Sequence, residues 1–174
     1  MDDAPVEIPN TVSACIAQAR ASRAELDALL ATLADEQLTV PGSETWSIKD
    51  HLAHLEVWSR AMLDTLDGQS RYPRLGVADY AALEELGLDV VNAGIFEAHR
   101  DRPLADVLAG FRESHEAMIK RLNEMSDADL ARPYASYYAD GRPDADQAIV
   151  NWISGNSWEH DADHLVWIRH QFGL

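Results

Sequence analysis

Apolar side chains recur at helical spacing along most of the chain. Over residues 11–33 they fall every three or four positions with no Gly or Pro between them, which predicts a long amphipathic helix. A second helix is predicted over residues 47–66, because Ser47 and Asp50 have the spacing of a capping box at a helix N-terminus. Gly68 marks the end of this second helix.

The second half of the chain repeats the helical pattern twice. A short element begins near Asp89, and Pro103 ends it before a helix that starts at residue 104 and runs to about residue 125. A fourth helix is predicted over residues 146–172, where Gly155 indicates either a close packing contact or a local bend. No stretch has the alternating pattern of a strand.

Connections of unequal length separate these helices. They are an extended lead-in at 1–10, a connection at 34–45, a long crossover at 67–88 that holds a possible short helix at 78–86, and a tyrosine-rich loop at 126–143. Four amphipathic helices with one long crossover predict an all-α four-helix bundle, in which facing helices supply the side chains of cofactor sites.

Composition narrows the possible classes of partner. A chain of 174 residues predicts one domain over residues 1–174. With 14 basic against 30 acidic residues the net charge is −16, which argues against a nucleic acid or an anionic membrane as partner.

The single cysteine, Cys15, excludes an intramolecular disulfide, and the N-terminus carries acids where a secretory signal carries bases. We therefore expect a cytoplasmic protein.

Two histidines of the fourth helix have the spacing of metal ligands. His160 and His164 are four residues apart, so they lie on one helix face about 6 Å apart along the axis. The helical wheel puts them in the same inward stripe as Ile149, Ile153 and Trp167. This spacing also arises between unrelated histidines in a chain that has seven of them, and a metal needs a third ligand from another element.

The second helix offers two candidates for that third ligand. On the helical wheel His51 lies nearer the centre of the apolar stripe, and His54 lies on a flank that it shares with Trp58. The wheel alone therefore favours His51 as the inward residue.

The other common catalytic motifs are absent from the sequence. It has no phosphate-binding glycine loop, no nucleophile elbow and no C-x-x-C pair, and Glu159 precedes His160 where a zinc protease has its glutamate after the histidine. A divalent ion held by histidines lowers the pKa of a bound water or thiol. Attack by hydroxide and attack by a thiolate are thus both open, and the sequence does not choose between them.

Two short segments resemble one known family, the DinB-like superfamily. Residues 46–55 (WSIKDHLAHL) resemble the segment that opens its second helix, and residues 158–164 (WEHDADH) resemble the E-H-x-x-x-H segment of its last helix. The resemblance implies an up-down-down-up four-helix bundle, often a homodimer, with a zinc or nickel ion held by three histidines. Carried over by position these ligands are His54, His160 and His164, which reverses the preference of the wheel for His51.

The resemblance leaves the activity open, since members of the superfamily differ in function. Some members use mycothiol, bacillithiol or glutathione to transfer a thiol or to isomerise a substrate, and others resemble toxin-resistance proteins. Residues 92–103 and 134–138 are similar to the ClbS- and DfsB-like branch. We therefore expect a metal-dependent enzyme that acts on an electrophilic small molecule. It either transfers a low-molecular-weight thiol to that molecule or isomerises it. The alternatives are a non-catalytic toxin-binding resistance protein and a metal-dependent hydrolase. Candidates for the pocket wall or for residues behind the ligands are His51, Trp58, Asn92, Glu97 and His115; no general base is identified.

Overall fold

Residues 8–43 and 45–174 are described by a computed structural model, and within these ranges the protein is all-helical, without a strand. The helices are α1 Val12–Leu30, α2 Asp35–Thr39, α3 Ile48–Leu66, α4 Tyr80–Leu86, α5 Leu88–His99, α6 Leu104–Asn123, α7 Asp127–Leu130, α8 Ile149–Gly155 and α9 Trp158–Phe172. Two short 3₁₀ turns cover Tyr72–Leu75 and Tyr134–Ser136. Of the predicted lead-in, residues 8–10 have no regular structure and residues 1–7 lie outside the described part.

The bundle is formed by α1, α3, α6 and α9. Helix α6 packs against both α1 and α3, and α9 packs against the same two helices from the other side. Leu52 of α3, Phe111 of α6 and Leu165 of α9 meet in one apolar cluster of the core. The predicted all-α helical fold is confirmed, while the up-down-down-up order of the helices stays a prediction.

Helix α3 begins where the sequence predicts. The Ser47 backbone N–H donates to Asp50 Oδ2 at 2.9 Å, and the Asp50 backbone N–H donates to Ser47 Oγ at 3.3 Å. This reciprocal capping box satisfies two of the N–H groups that a helix start leaves unpaired. It also fixes the rotation of the first two turns of α3, which carry His51 and His54.

The prediction of one continuous helix over residues 146–172 is wrong. Helix α8 ends at Gly155 and α9 begins at Trp158, because the two residues between them bind the preceding turn through their side chains. Asn156 Nδ2 donates to the Trp152 carbonyl at 2.7 Å, and Ser157 Oγ donates to the Ile153 carbonyl at 2.5 Å. These bonds compete with the helical backbone ladder. The apolar stripe that the helical wheel predicted along one continuous helix is therefore interrupted between α8 and α9.

The predicted connections contain short helices of their own. Helix α2 lies in the connection at 34–45, α7 lies in the loop at 126–143, and the crossover carries a 3₁₀ turn followed by α4. Val57 of α3, Leu83 of α4 and Ile95 of α5 belong to one buried apolar cluster. The crossover thereby covers one flank of α3 and forms a wall beside the histidines of that helix.

Candidate metal centre

Three histidines from two helices converge inside the bundle. One ring nitrogen from each of His54 on α3 and His160 and His164 on α9 lies within 4.8 Å of the other two. The Nε2 atoms of His54 and His160 are 3.1 Å apart. Two ligands bound at about 2.0–2.1 Å to one tetrahedral zinc ion are separated by about 3.3 Å. The spacing of His54 and His160 therefore fits a single ion, and the nitrogen of His164 lies within 4.8 Å of both.

These histidines are held in the form that binds metals. Burial, with a contribution from the neighbouring His160 and His51, lowers the pKa of His54 to about 2. Burial also lowers the pKa of His160 to about 4, and it lowers the pKa of His164 well below the usual value. At neutral pH the rings are uncharged, so each keeps a lone pair for a metal ion.

Several ring nitrogens of the cluster lack a partner. Among the described residues no hydrogen bond reaches His164 Nε2, His54 Nδ1 or His160 Nδ1, although all three atoms are buried. A buried polar atom left unpaired costs about 1–3 kcal/mol. A ligand at the cluster would satisfy His164 Nε2, and the donor set therefore fits a divalent ion with an affinity for imidazole, such as zinc or nickel.

His51 lies next to the cluster and contacts His164. Its Nδ1 lies 2.8 Å from His164 Nδ1, and its Nε2 lies 3.2 Å from Gln171 Oε1. Because an amide oxygen only accepts, His51 donates from Nε2 and accepts at Nδ1, and His164 donates from Nδ1. This chain of bonds leaves the lone pair of His164 on Nε2, the nitrogen that faces no partner, as is usual for histidine ligands of metals.

No carboxylate joins the three histidines in the group that the described residues form. Asp161, next to His160 in the chain, is buried, and burial raises its pKa to about 7. It lines a small cavity with Arg23 of α1 and His115 of α6, and it is not part of the three-histidine group. An ion held by imidazoles alone keeps its full charge for a bound ligand.

Two cavities meet at the histidines. One has a volume of about 450 Å³ and is bordered by Trp46, His164 and Trp167, and the other has a volume of about 320 Å³. His54, Asn92 and His160 belong to the walls of both. The cluster therefore borders both cavities. Trp167, predicted to point inward, is 52% exposed at the rim of the larger cavity.

The structure brings some of the other predicted site residues to the cluster. Trp58 lies beside it, and its Nε1 donates to Asn92 Oδ1 at 3.2 Å. Glu97 is exposed and pairs with Arg100, and His115 lies on α6, where Arg23 of α1 is among its charged neighbours. Glu97 and His115 line neither of the two cavities.

Sequence reasoning missed the residues at the far end of the smaller cavity. Arg71, Arg142, Trp152 and Asn156 all line it. Two of them lie in connections, whose position on the bundle has no periodic signal, and Asn156 lies in the break that was predicted to be helix. No pattern in the sequence would have indicated them.

His115 gives a prediction for the pH dependence of stability. Burial, with the nearby Arg23, lowers its pKa from 6.5 to about 4. Below 6.5 the unfolded chain takes up a proton that the folded protein refuses until about pH 4, so this residue reduces the free energy of unfolding as the pH falls through that window. We expect His115→Gln to reduce the fall in the urea midpoint of unfolding between pH 6.5 and about pH 4.

The control for this prediction is His170→Gln, which removes an exposed histidine of α9. Its urea midpoints should follow those of the wild-type protein at every pH. If His115→Gln also followed the wild-type curve, the histidine would not titrate differently in the folded and unfolded chains.

Comparison with known proteins gives one family and two similar structures. The profile of the DinB superfamily matches residues 18–168. An uncharacterised protein from Escherichia coli UTI89 is 15% identical, with a TM-score of 0.70 and 94% of each chain covered. The colibactin self-resistance protein ClbS, solved in complex with a dsDNA, is 13% identical, with a TM-score of 0.70 over 95% of this chain and 97% of that one. No curated protein sequence matches.

Proposed function

The chain belongs to the DinB superfamily, and from this premise we propose that it is a divalent-metal-dependent enzyme that transfers a low-molecular-weight thiol to an electrophilic small molecule. His54, His160 and His164 would hold the ion, zinc or nickel. One observation carries the proposal: three neutral imidazoles, one with an unpartnered Nε2, meet where two cavities join. Two cavities at one centre suit a reaction that has two substrates.

The residues around the histidines prepare the site for such a reaction. A bound divalent ion would lower the pKa of a thiol beside it, which makes the thiolate available at neutral pH. The rings of Trp46 and Trp58 lie 5.3 and 6.1 Å from that of His54, so the cluster has apolar aromatic surface beside it. In the transfer, sulfur forms a bond to the electrophilic carbon, the thiol proton goes to solvent, and the leaving group departs with its bonding electrons. In an isomerisation the thiol would leave again unchanged.

Two other functions use the same site in different ways. One is a resistance protein that captures a reactive small molecule without turnover; the self-resistance protein ClbS shares the fold, and at 13% identity the likeness concerns the fold alone. A hydrolase would activate water where the transferase activates a thiol. Both alternatives need the cavities, and they differ from the transferase in their need for a thiol and in turnover.

Metal content and turnover together test the proposal. Protein purified without a histidine tag should contain about one divalent ion per chain, as a site of three histidines requires. With an aryl halide or an epoxide as electrophile, product should exceed the protein concentration many-fold when a thiol is present. Product that stops at one per chain would indicate sequestration, and turnover without thiol would indicate a hydrolase. Either result would refute thiol transfer.

The remaining expectations concern partners. None of the helices in the described residues is long and apolar enough to span a membrane. The ClbS structure contains double-stranded DNA, whereas the net charge of −16 argues against nucleic-acid binding by this chain. Homodimer formation remains part of the proposal, and the partner we favour is a small molecule.

A further inference from the structure

The smaller cavity is lined by a buried arginine, Arg71, that has no counter-ion among the described residues. Arg71 is 3% exposed and lines the cavity. Its Nη2 donates to Asn156 Oδ1 at 2.8 Å, and its Nε has no partner among the described residues. Within that part of the chain no carboxylate lies within 4.0 Å of its guanidinium.

Such a charge is costly to bury. An arginine keeps its proton, and the neutral oxygens of Asn156 and Tyr134 replace only part of the hydration that Arg71 loses on burial. Burial accordingly lowers the pKa of Arg71. The chain has 30 acidic residues, so the lack of a carboxylate beside Arg71 does not reflect a shortage of them. Its aromatic neighbour, the Trp58 ring, lies 5.4 Å away and offers only a weak compensation.

Two further residues that line the same cavity have a buried donor without a partner among the described residues. Arg142 donates from Nε to Asp144 Oδ1 at 2.9 Å, but its Nη1 is buried without a partner in the described chain. The guanidinium lies 3.8 Å from the centre of the Trp152 ring, and the buried Nε1 of Trp152 is unpaired as well. The wall of the cavity thus combines two guanidinium groups and an indole, and each of them has one N–H that the described residues leave unpaired.

We infer that this end of the cavity binds the carboxylate of a small molecule whose other end reaches His54 and His160. Both histidines belong to the wall of the same cavity, so one ligand of moderate size can touch the arginines and the cluster together. The recognition of a substrate in this way rests on the proposed function, whereas anion binding itself does not.

A singly charged carboxylate suits the site better than a phosphate dianion. Asp144 already pairs with Arg142, and Asp140 accepts a hydrogen bond from the Arg142 backbone N–H at 3.2 Å and binds the hydroxyl of Tyr134. The lining also includes one carboxylate, that of Glu84, which is exposed on α4. These acids offset part of the positive charge, so a second negative charge on the same anionic group, as in a phosphate dianion, would be repelled, whereas each carboxylate of a dicarboxylate carries only one.

The test uses metal-free protein, so that it does not depend on the metal centre. Indole N–H signals of the tryptophans are followed by NMR while succinate, inorganic phosphate or the uncharged analogue succinamide is added. Succinate should give a saturable shift, phosphate a weaker one, and succinamide none. Because a hydrogen bond to a charged group is lost, Arg71→Gln should weaken succinate binding at least about tenfold. Arg71→Lys, which keeps the charge, should weaken it less.

A neighbouring arginine provides the matched control. Arg74 lies in the 3₁₀ turn that follows Arg71, pairs with Asp64 and does not line the cavity, so Arg74→Gln should bind succinate as the wild type does. Arg142→Gln gives a second test if Arg71→Gln fails to fold. The inference is overturned if succinate gives no saturable shift, if phosphate binds more tightly, or if the folded Arg71 and Arg142 variants bind like the wild type. If His160→Ala loses metal but still binds succinate, the two sites are separate.

Discussion

Replacing His160 with alanine is expected to lower zinc affinity more than about 100-fold, which corresponds to about 2.8 kcal/mol. The reason is geometric, because the Nε2 atoms of His54 and His160 lie 3.1 Å apart and both belong to the three-histidine group. Without one ring, two ligands remain, which is fewer than zinc sites in proteins use. Competition with a chromophoric chelator measures the affinity directly, and elemental analysis gives the zinc content.

The control removes a histidine from elsewhere in the chain. His115→Gln changes α6 outside the cluster, so it should bind zinc like the wild type. Zinc should also raise the thermal midpoint of the wild type and of this control, since a ligand of the folded state stabilises it, and it should not raise that of His160→Ala. Wild-type zinc affinity in the His160 variant would show that the histidine cluster is not the metal site.

Gly110→Ala is expected to destabilise the protein by about 2 kcal/mol. A methyl group at this position of α6 would overlap the carboxylate of Glu56 on α3. Glu56 has little freedom to move, because it is buried and held by Arg60 at 2.9 Å and Arg102 at 3.0 Å. Displacing it would leave a buried charge without its partners, which outweighs the gain of about 1 kcal/mol in helix propensity.

A second glycine makes a matched comparison. A methyl group on Gly94, in α5, would meet no atom within 4 Å, so Gly94→Ala should stabilise the protein by about 0.5–1 kcal/mol through the same gain in propensity. Urea unfolding of the two variants should therefore give shifts of opposite sign. A Gly110 variant as stable as that of Gly94 would mean that α3 and α6 are packed less closely than the structure indicates.

Local signals predicted the helix boundaries that matter for the site. The Ser47 and Asp50 side chains both act on the backbone next to them, so their spacing alone located the start of α3. Pro103 separated α5 from α6 because it cannot continue a helix. The pair His160 and His164 was recognised from spacing, since four residues along a helix always lie on one face.

Features that depend on tertiary contacts were not predictable in this way. The wheel favoured His51 over His54, yet both are buried, and only the crossing of α3 and α9 decides which ring joins the cluster. The break between α8 and α9 depends on side-chain bonds of Asn156 and Ser157, which residue type alone does not foretell. Arg71 lies in a connection, and only the folded crossover places it in the cavity.

In the proposed thiol transferase, the junction of two cavities at His54 and His160 would have a consequence for the order in which the substrates bind. A thiol and its acceptor can occupy separate chambers simultaneously, so neither has to vacate the centre before the other arrives. Such a layout favours a ternary complex over successive half-reactions, and it spares the enzyme from carrying a covalent intermediate between encounters.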